Sequence, residues 1–367
     1  MKILSLAGPV AATALFFCAS TIEAGVLVPI PSVPGSTETF ARTINDKNII
    51  VGRYLMPDGS SHGFFGPVGG SYQTFDGLDG QTFANGINNA GYITGQSNVP
   101  NENCPYYGCQ FLRRPSGSIQ EITRRGAPFD GIPEQIIFDQ HFVGQFTYVD
   151  QNENFFIYGY YGRGPRYTAR LTLPFDTART RPRGLAEDGT VTGWFSDFRG
   201  SHGFVLRNGS ATAYDYPDAN AFITEFEGVN ANAWVPGAWE DAYGTLSRAF
   251  VLNYAKSKFS PIDVSGATYA FAGGVNNSNL VVVNGDTSSF LYCPESKTCP
   301  IHSPEERQIQ ERWIPVGNFS RTLPCKNGCL APFDTPPAAA HVSPAALRAA
   351  MARDPELQRE MYLPFRP

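Results

Sequence analysis

The chain is 367 residues long and carries 28 Lys and Arg against 33 Asp and Glu, a formal net charge of −5. With no basic run in the sequence, that balance excludes nucleic acid as a partner, because phosphate binding demands clustered cations. Only 17% of residues are charged while 13% are aromatic, and 37 Gly and 29 Pro punctuate the chain, a composition suited to turn-rich strands.

The first element is a leader. Lys2 supplies a positive start, Ile3 to Phe17 is an apolar run too short to span a membrane, and Ile22-Glu23-Ala24 offers a cleavage site. Residues 1–24 are therefore expected to be a secretory signal peptide. Phe16 and Phe17 stand where a lipobox before Cys18 needs small residues, so a lipoprotein is not expected. No later segment approaches the ~20 apolar residues of a spanning helix. The mature chain is expected to be secreted or periplasmic, with no membrane span.

The next stretch, INDKNIIVGRYLMPDGSSHGFF from Ile44 to Phe65, sets a pattern that the chain repeats. An Asn turn leads to a β-branched run ending in Gly, then a polar loop, then a short run centred on Phe. Copies begin at Ile87, Leu185, Val229 and Val275, and a worn copy begins at Ile136. The Gly that ends each run falls at Gly52, Gly95, Gly144, Gly193 and Gly237, with Val283 in the last copy. The intervals are 43 to 49 residues. A period of that size built from short strands is the signature of propeller blades.

In the first copy the pattern predicts strands over Thr39 to Ile44, Ile49 to Leu55, His62 to Phe65 and Ser71 to Phe75. Asn45-Asp46 and Pro57-Asp58-Gly59 supply the turns. The runs IIVG, YITG, HFVG and LVVV are apolar on both faces, as expected for strands clamped between neighbouring blades and not for a sheet with one wet face. The marker glycines are expected to let the backbone pass where neighbouring blades converge. His62 and His202 recur in His-Gly-Phe. They are expected to bond a neighbouring turn, beside core residues Phe64, Phe111, Phe204, Phe250 and Phe290.

The unit resembles the HAF-type extracellular repeat of bacterial exported proteins, which reads Ile-Asn, Val-Gly-x-Tyr and His-Gly-Phe. The likeness covers residues 26 to about 292 and is strongest in the first and fourth copies. It implies export and a β-rich, propeller-like fold, and no activity. Gln110-Phe111 and Ala249-Phe250 stand where the second and fifth copies lack Gly-Phe.

Val26 to Ile30 has the phase of a fourth strand with no partners before it, while the sixth copy supplies only three. The expected fold is an all-β, six-bladed propeller over residues 25–302, closed by strand exchange between its ends. Seven blades are the alternative, with Ile314 to Phe319 as a faint further copy. Beyond His302, Ser303-Pro304, Ser343-Pro344 and Asp354-Pro355 are helix starts. Residues 303–367 are expected to form a helical and loop-like tail.

Six cysteines follow the leader in three close pairs, Cys104 with Cys109, Cys293 with Cys299 and Cys325 with Cys329. In an exported chain these read as local disulfides. None has the two-residue spacing of a zinc knuckle, so no metal centre is expected. Calcium is the one cofactor in view. Asp150-Gln151-Asn152-Glu153-Asn154 begins like a calcium loop, but Phe155 replaces its Gly and Tyr161 its bidentate Glu.

No nucleophile elbow, zinc helix, phosphate loop or dinucleotide fingerprint appears. Acidic residues at Asp58, Asp197, Glu225, Glu227, Glu240, Asp241 and Asp286 leave a cross-blade catalytic pair open. Loops joining second to third strands share one end of a propeller with the connections between blades. There lie Tyr106 and Tyr107 inside the Cys104–Cys109 loop, with Phe198, Arg199, Trp239 and Tyr243 in others, and aromatic-rich loops on a rigid scaffold are where recognition concentrates. The first expectation is a binding module for a carbohydrate or protein ligand on that face. A polysaccharide-active hydrolase or lyase, and a structural protein assembled through its tail, are the competing classes.

Overall fold

The computed structural model describes residues 25–78, 81–97, 103–104, 108–149, 155–175, 179–294, 299–301 and 330–331. After β1 (Val26–Pro29), each copy of the repeat folds as a four-stranded antiparallel meander. The first unit is β2 (Glu38–Ile44), β3 (Ile49–Leu55), β4 (Ser61–Pro67) and β5 (Gln73–Phe75). The second is β6 (Thr82–Ile87), β7 (Ile93–Ser97), β8 (Gln110–Arg113) and β9 (Ile119–Glu121). A small hairpin follows, β10 (Thr123–Arg124) with β11 (Ala127–Pro128).

The third unit is β12 (Gly131–Ile136), β13 (His141–Val149), β14 (Phe155–Arg163) and β15 (Arg166–Leu171). The fourth is β16 (Arg179–Leu185), β17 (Val191–Asp197), β18 (Gly200–Arg207) and β19 (Ser210–Tyr214). The fifth is β20 (Ile223–Phe226), β21 (Trp234–Glu240), β22 (Ser247–Asn253) and β23 (Lys258–Ile262). The sixth has β24 (Phe271–Val275), β25 (Val281–Asn284) and β26 (Ser289–Cys293), and its outer strand is β1.

That last pairing closes the ring. Val26 faces Cys293 and Pro29 faces Phe290, so the two ends of the described repeat share one sheet. The core has the same form. Buried apolar side chains gather in clusters between successive units, not within one sheet. One joins Leu280, Val282 and Leu291 of the sixth unit to Ala41, Ile50 and Phe64 of the first. Val51 with Ala84 and Ile93 marks the first–second seam, and Leu112 with Ile136 and Phe142 the second–third. Val143 with Leu185 and Phe204, Val205 with Phe226 and Val235, and Val251 with Ala272 and Val281 mark the remaining seams. Both faces of each sheet are covered, as the doubly apolar runs require. The described residues form an all-β propeller, and no helix among them is long and apolar enough to cross a membrane.

The Asn that opens the repeat has a specific task. Its side-chain oxygen accepts two main-chain N–H groups of its own turn: Asn45 takes Lys47 and Ile49, and Asn230 takes Asn232 and Trp234, all at 3.0 Å. Its side-chain amide donates to the next unit. Asn45 reaches the Asn88 carbonyl (3.0 Å), Asn88 the Ile137 carbonyl (3.0 Å), Asn230 the Asn276 carbonyl (2.7 Å) and Asn276 the Asn45 carbonyl (3.1 Å). An Asn carries donor and acceptor in one short side chain, which is why it holds turn and seam together.

The marker glycines behave differently from expectation. A Cβ on Gly52, Gly193 or Gly237 would overlap the carbonyl of Phe40, Arg181 or Glu225, which belong to the inner strand of the same unit. In the first and fourth units a register shift in that inner strand, after Ala41 and Pro182, adds to the crowding. The close approach between units falls instead on inner-strand glycines. Gly86 faces the Glu134 carbonyl of the third unit, and Gly184 faces Gly228 and Val229 of the fifth.

Two of the expected disulfides are present, Cys104–Cys109 and Cys293–Cys299, with Cα atoms 5.2 and 5.5 Å apart. Cys325–Cys329, the leader, the calcium-like loop at 150–154 and the expected tail helices lie outside the described residues. Of the tail, Leu330–Ala331 is described as a short strand, β27, pairing antiparallel with Arg170 and Leu171 on the outer edge of the third unit.

Candidate binding site

Inner strands of a propeller surround a channel, and period-two alternation decides what faces it. Two tiers result. Nearer the long-loop end stand Phe40, Phe83, Ile132, Arg181, Glu225 and Phe271, one from each unit. Two residues further along each strand come Arg42, Asn85, Glu134, Arg183 and Glu227, with Gly273 at the sixth place. Between the tiers, Ala41, Ala84, Pro133, Pro182, Phe226 and Ala272 turn toward the seams. A cavity of about 170 Å³ opens among the channel-facing side chains.

The deeper tier is an ion-pair plug. Arg42 bridges Glu134 (3.2 Å) and Glu227 (2.6 Å), and Arg183 contacts Glu134 and lies 3.8 Å from Glu227. Two guanidinium groups and two carboxylates alternate, from the first, third, fourth and fifth units. Burial alone would lower the Arg42 pKa, but Glu227 and Glu134 outweigh it, and the net shift is upward. These carboxylates are committed to charge neutralisation in the channel.

The upper tier is aromatic and cationic. Arg53, the residue after marker Gly52, lies with its guanidinium carbon 5.1 Å from the Phe40 ring centre and 4.8 Å from that of Phe83. Its ion-pair partner is Glu38 at 3.5 Å. Burial pulls the Arg53 pKa down to about 10 against the opposing pull of Glu38. Arg181 stacks on Trp194, 4.4 Å from the ring centre, and Trp194 again follows a marker Gly. Phe271 completes the wall, 5.2 Å from Phe40.

The side chains expected to form the site fare unequally. Phe198 and Tyr243 are 96% and 88% exposed at the tips of the β17–β18 and β21–β22 loops. Arg199 sits beside Phe198 and is held by Asp197, Nη2 to Oδ2 at 2.8 Å. Tyr106 and Tyr107 lie outside the described residues. Trp239 is a correction: it is a strand residue, buried, and stacked on Tyr216 at 5.5 Å. It fills the Tyr place of Val-Gly-x-Tyr, as Tyr54 and Phe195 do, and all three are core. That phrase was the signal that locates Trp239 in the core.

The loop carboxylates are turn formers. Asp241 accepts from Thr245 Oγ1 at 2.6 Å, and Asp286 accepts the Thr268 and Tyr269 N–H groups at 3.1 and 2.8 Å. Glu240 is buried and Asp58 accepts from Ser60 Oγ at 2.6 Å. His62 joins Asp76 through Nδ1 (2.6 Å) and Ser60 through Nε2 (2.9 Å). That connectivity imitates a hydrolase triad, yet the Ser60 hydroxyl is donated to Asp58. The same His in the fourth unit joins Asp215 (2.6 Å) and Asp197 (3.2 Å) with no serine. The recurring role is to tie two loops together, as the repeat implied.

No protein-family model matches the chain, and no curated protein matches it. Among solved structures, a catalytically inactive H270A virginiamycin B lyase from Staphylococcus aureus with quinupristin is similar at 12% identity and TM-score 0.44. It covers 73% of this chain and 98% of that one. TolB from Acinetobacter baumannii is similar at 13% identity and TM-score 0.47, over 67% of this chain and 63% of that one. A protein of unknown function from Dyadobacter fermentans gives 12% identity and TM-score 0.47, over 73% and 98%. Likeness at this level says nothing of ligand or chemistry.

Proposed function

We propose that the chain is an exported six-bladed propeller of the HAF-repeat type that works as a binding module, taking its ligand at the channel mouth of the long-loop end. The observation that carries this reading is the cavity of about 170 Å³, to which the inner strands of all six units contribute. Its aromatic wall offers flat apolar surface, and its charged and amide groups offer orientation, the usual composition of a ligand site. Phe198, Arg199 and Tyr243 extend the surface outward as a rim for a carbohydrate or protein ligand.

The test is retention of the mature chain on polysaccharide and protein panels, with new reducing ends scored in parallel. Phe40→Ala with Phe271→Ala removes two wall rings and is expected to abolish retention at an unchanged melt. Lys47→Ala, exposed at the opposite end, is expected to leave it intact. Retention that survives loss of both rings overturns the placement. Release of new reducing ends replaces the binding reading with a hydrolytic one.

A further inference from the structure

The repeat phrase Val-Gly-x-Tyr keeps its Gly and varies most in chemistry at the place that follows it. That variable place is Arg53, Gln96, Gln145, Trp194 and Ala238 in successive units. Each is paired with the upper-tier residue of its own inner strand: Arg53 with Phe40, Gln145 with Ile132, Trp194 with Arg181. The place between marker Gly and aromatic therefore sits at one level of the channel. Arg53, Gln96, Trp194 and Ala238 line the cavity itself.

Three of these side chains are buried with unmet hydrogen bonds among the described residues. Arg53 is 5% exposed and its Nη1 has no acceptor; Trp194 is 1% exposed and its Nε1 has none. Gln145, fully buried, has neither donor nor acceptor for its amide. Buried polar atoms are nearly always satisfied, so the orphans of Arg53 and Trp194, both on the cavity wall, call for a missing partner. Arg53 Nη1 and Trp194 Nε1 can only donate. The partner must bring acceptor oxygens.

We infer that the mouth holds a uronate sugar, with Arg53 Nη1 donating to its carboxylate, Trp194 Nε1 to another of its oxygens, and the Phe40 and Phe83 rings against its apolar face. This rests on the reading of the channel mouth as the ligand site and names its ligand class. Two features favour a sugar over an acidic peptide. Glu225 and the Gln96 amide line the same cavity, and they suit the hydroxyls that a sugar ring carries beside its carboxylate and that a lone acidic side chain lacks. The cavity, about 170 Å³, is also of the order needed for one sugar ring and is closed below by the neutral Arg42, Glu134, Arg183 and Glu227 set. A charged ligand meets no net charge there, and its own carboxylate is left to the guanidinium of Arg53.

The experiment is calorimetric titration of the full mature chain with tetramers of galacturonate, glucuronate and mannuronate, their carboxyl-reduced counterparts, and an Asp- and Glu-rich peptide. At least one uronate is expected to bind, and its reduced counterpart at least about thirtyfold more weakly, as loss of charge-assisted hydrogen bonds implies. Trp194→Phe, which removes one donor at little change in volume, is expected to weaken that uronate about tenfold with an unchanged melt. Arg53→Lys keeps the charge and loses the fork, and is expected to weaken it more than Trp194→Phe does. Equal binding of uronate and reduced sugar, or binding of the peptide alone, overturns the carboxylate assignment while leaving the mouth as a binding site. Failure of all three uronates also overturns it. In that case a ligand from the panels whose retention still depends on Phe40 and Phe271 keeps the binding reading, and one that ignores them removes both.

Discussion

Asn276 donates its side-chain amide to the main-chain carbonyl of Asn45 at 3.1 Å, joining the last unit to the first across 231 residues of sequence. Its side-chain oxygen meanwhile accepts Ser278 and Leu280 N–H groups at 3.0 and 3.1 Å. One side chain thus shapes a turn and shuts the ring. Neighbouring positions reinforce the seam, since the Asn277 N–H donates to Asp46 Oδ1 at 2.7 Å.

Asn276→Ala is expected to lower stability by about 1–3 kcal/mol, because it leaves the buried Leu280 N–H without its acceptor and takes one of two donors from the Asn45 carbonyl, which keeps the Asn48 N–H. Urea unfolding of the variant beside Asn232→Ala, at an exposed place in a neighbouring turn, measures the difference. A change within about 0.5 kcal/mol for Asn276→Ala means the seam is held by the apolar cluster alone.

The strand exchange makes a separate claim. β1 contributes four register pairs to β26, and Ile30 beyond it is buried in the cluster that spans the first and sixth units. Deleting Val26 to Ile30 uncovers the edge of β26 and opens that cluster. The melting temperature is expected to fall by at least about 5 °C, equivalent to a loss of about 2 kcal/mol or more for a domain of this size, and the bare edge should promote association. Calorimetry with light scattering checks both effects. An unchanged, monomeric melt refutes closure through β1.

How much of this was legible in the sequence follows from what repeats and what does not. Asn45, Gly52 and Phe64 recur because every unit needs the same turn, close approach and seam packing, so they marked the strands of the first unit to within a residue or two. Phase also told where β1 goes, since a fourth strand without its first three has one place to sit. The channel was not legible. Phe40, Phe83, Ile132, Arg181, Glu225 and Phe271 hold one structural place with different chemistry, and a pattern search discards what differs between copies. Trp239 was misplaced for the converse reason: it looked distinctive beside loop residues although it fills a place that the repeat makes aromatic. The marker Gly was tied to the wrong neighbour because sequence does not reveal the bulge that follows Ala41 and Pro182 in the inner strands.

The channel plug predicts strong coupling. Glu134, 3% exposed, lies between Arg42 and Arg183, and Glu134→Gln leaves two guanidinium groups sharing Glu227. Breaking a buried ion pair from one side costs about 3–5 kcal/mol, whereas replacing both partners by apolar groups of similar size is often close to neutral. Glu134→Leu with Arg183→Met is therefore expected to be less destabilised than either single variant. A double-mutant cycle by chemical denaturation gives the coupling, and simple additivity refutes a shared network.

The rim carries a pH signature. Asp197 is held down to about 2, first by the side-chain hydrogen bond from Arg199, then with help from the Arg199 N–H and from His202. In the unfolded chain an aspartate titrates near ~3.9. The folded value is the lower one, so the stabilisation is fully present above about pH 4. It is lost as pH falls from about 4 toward 2, where the unfolded chain takes up its proton first. Arg199 is 67% exposed, so solvent screens the pair and the effect on stability is small. The difference in stability between the wild type and Asp197→Asn is expected to be constant above pH 5 and to shrink toward zero near pH 2. The sharper readout is the carboxyl titration itself, followed by carbon-detected NMR. Arg199→Ala should move the Asp197 midpoint up toward the ordinary aspartate range, because it removes the largest cause of the shift. A midpoint still near 2 in that variant means that His202 and the hairpin backbone hold the carboxylate, and that Arg199 is free to turn from Asp197 to a ligand without disturbing the tip that presents Phe198.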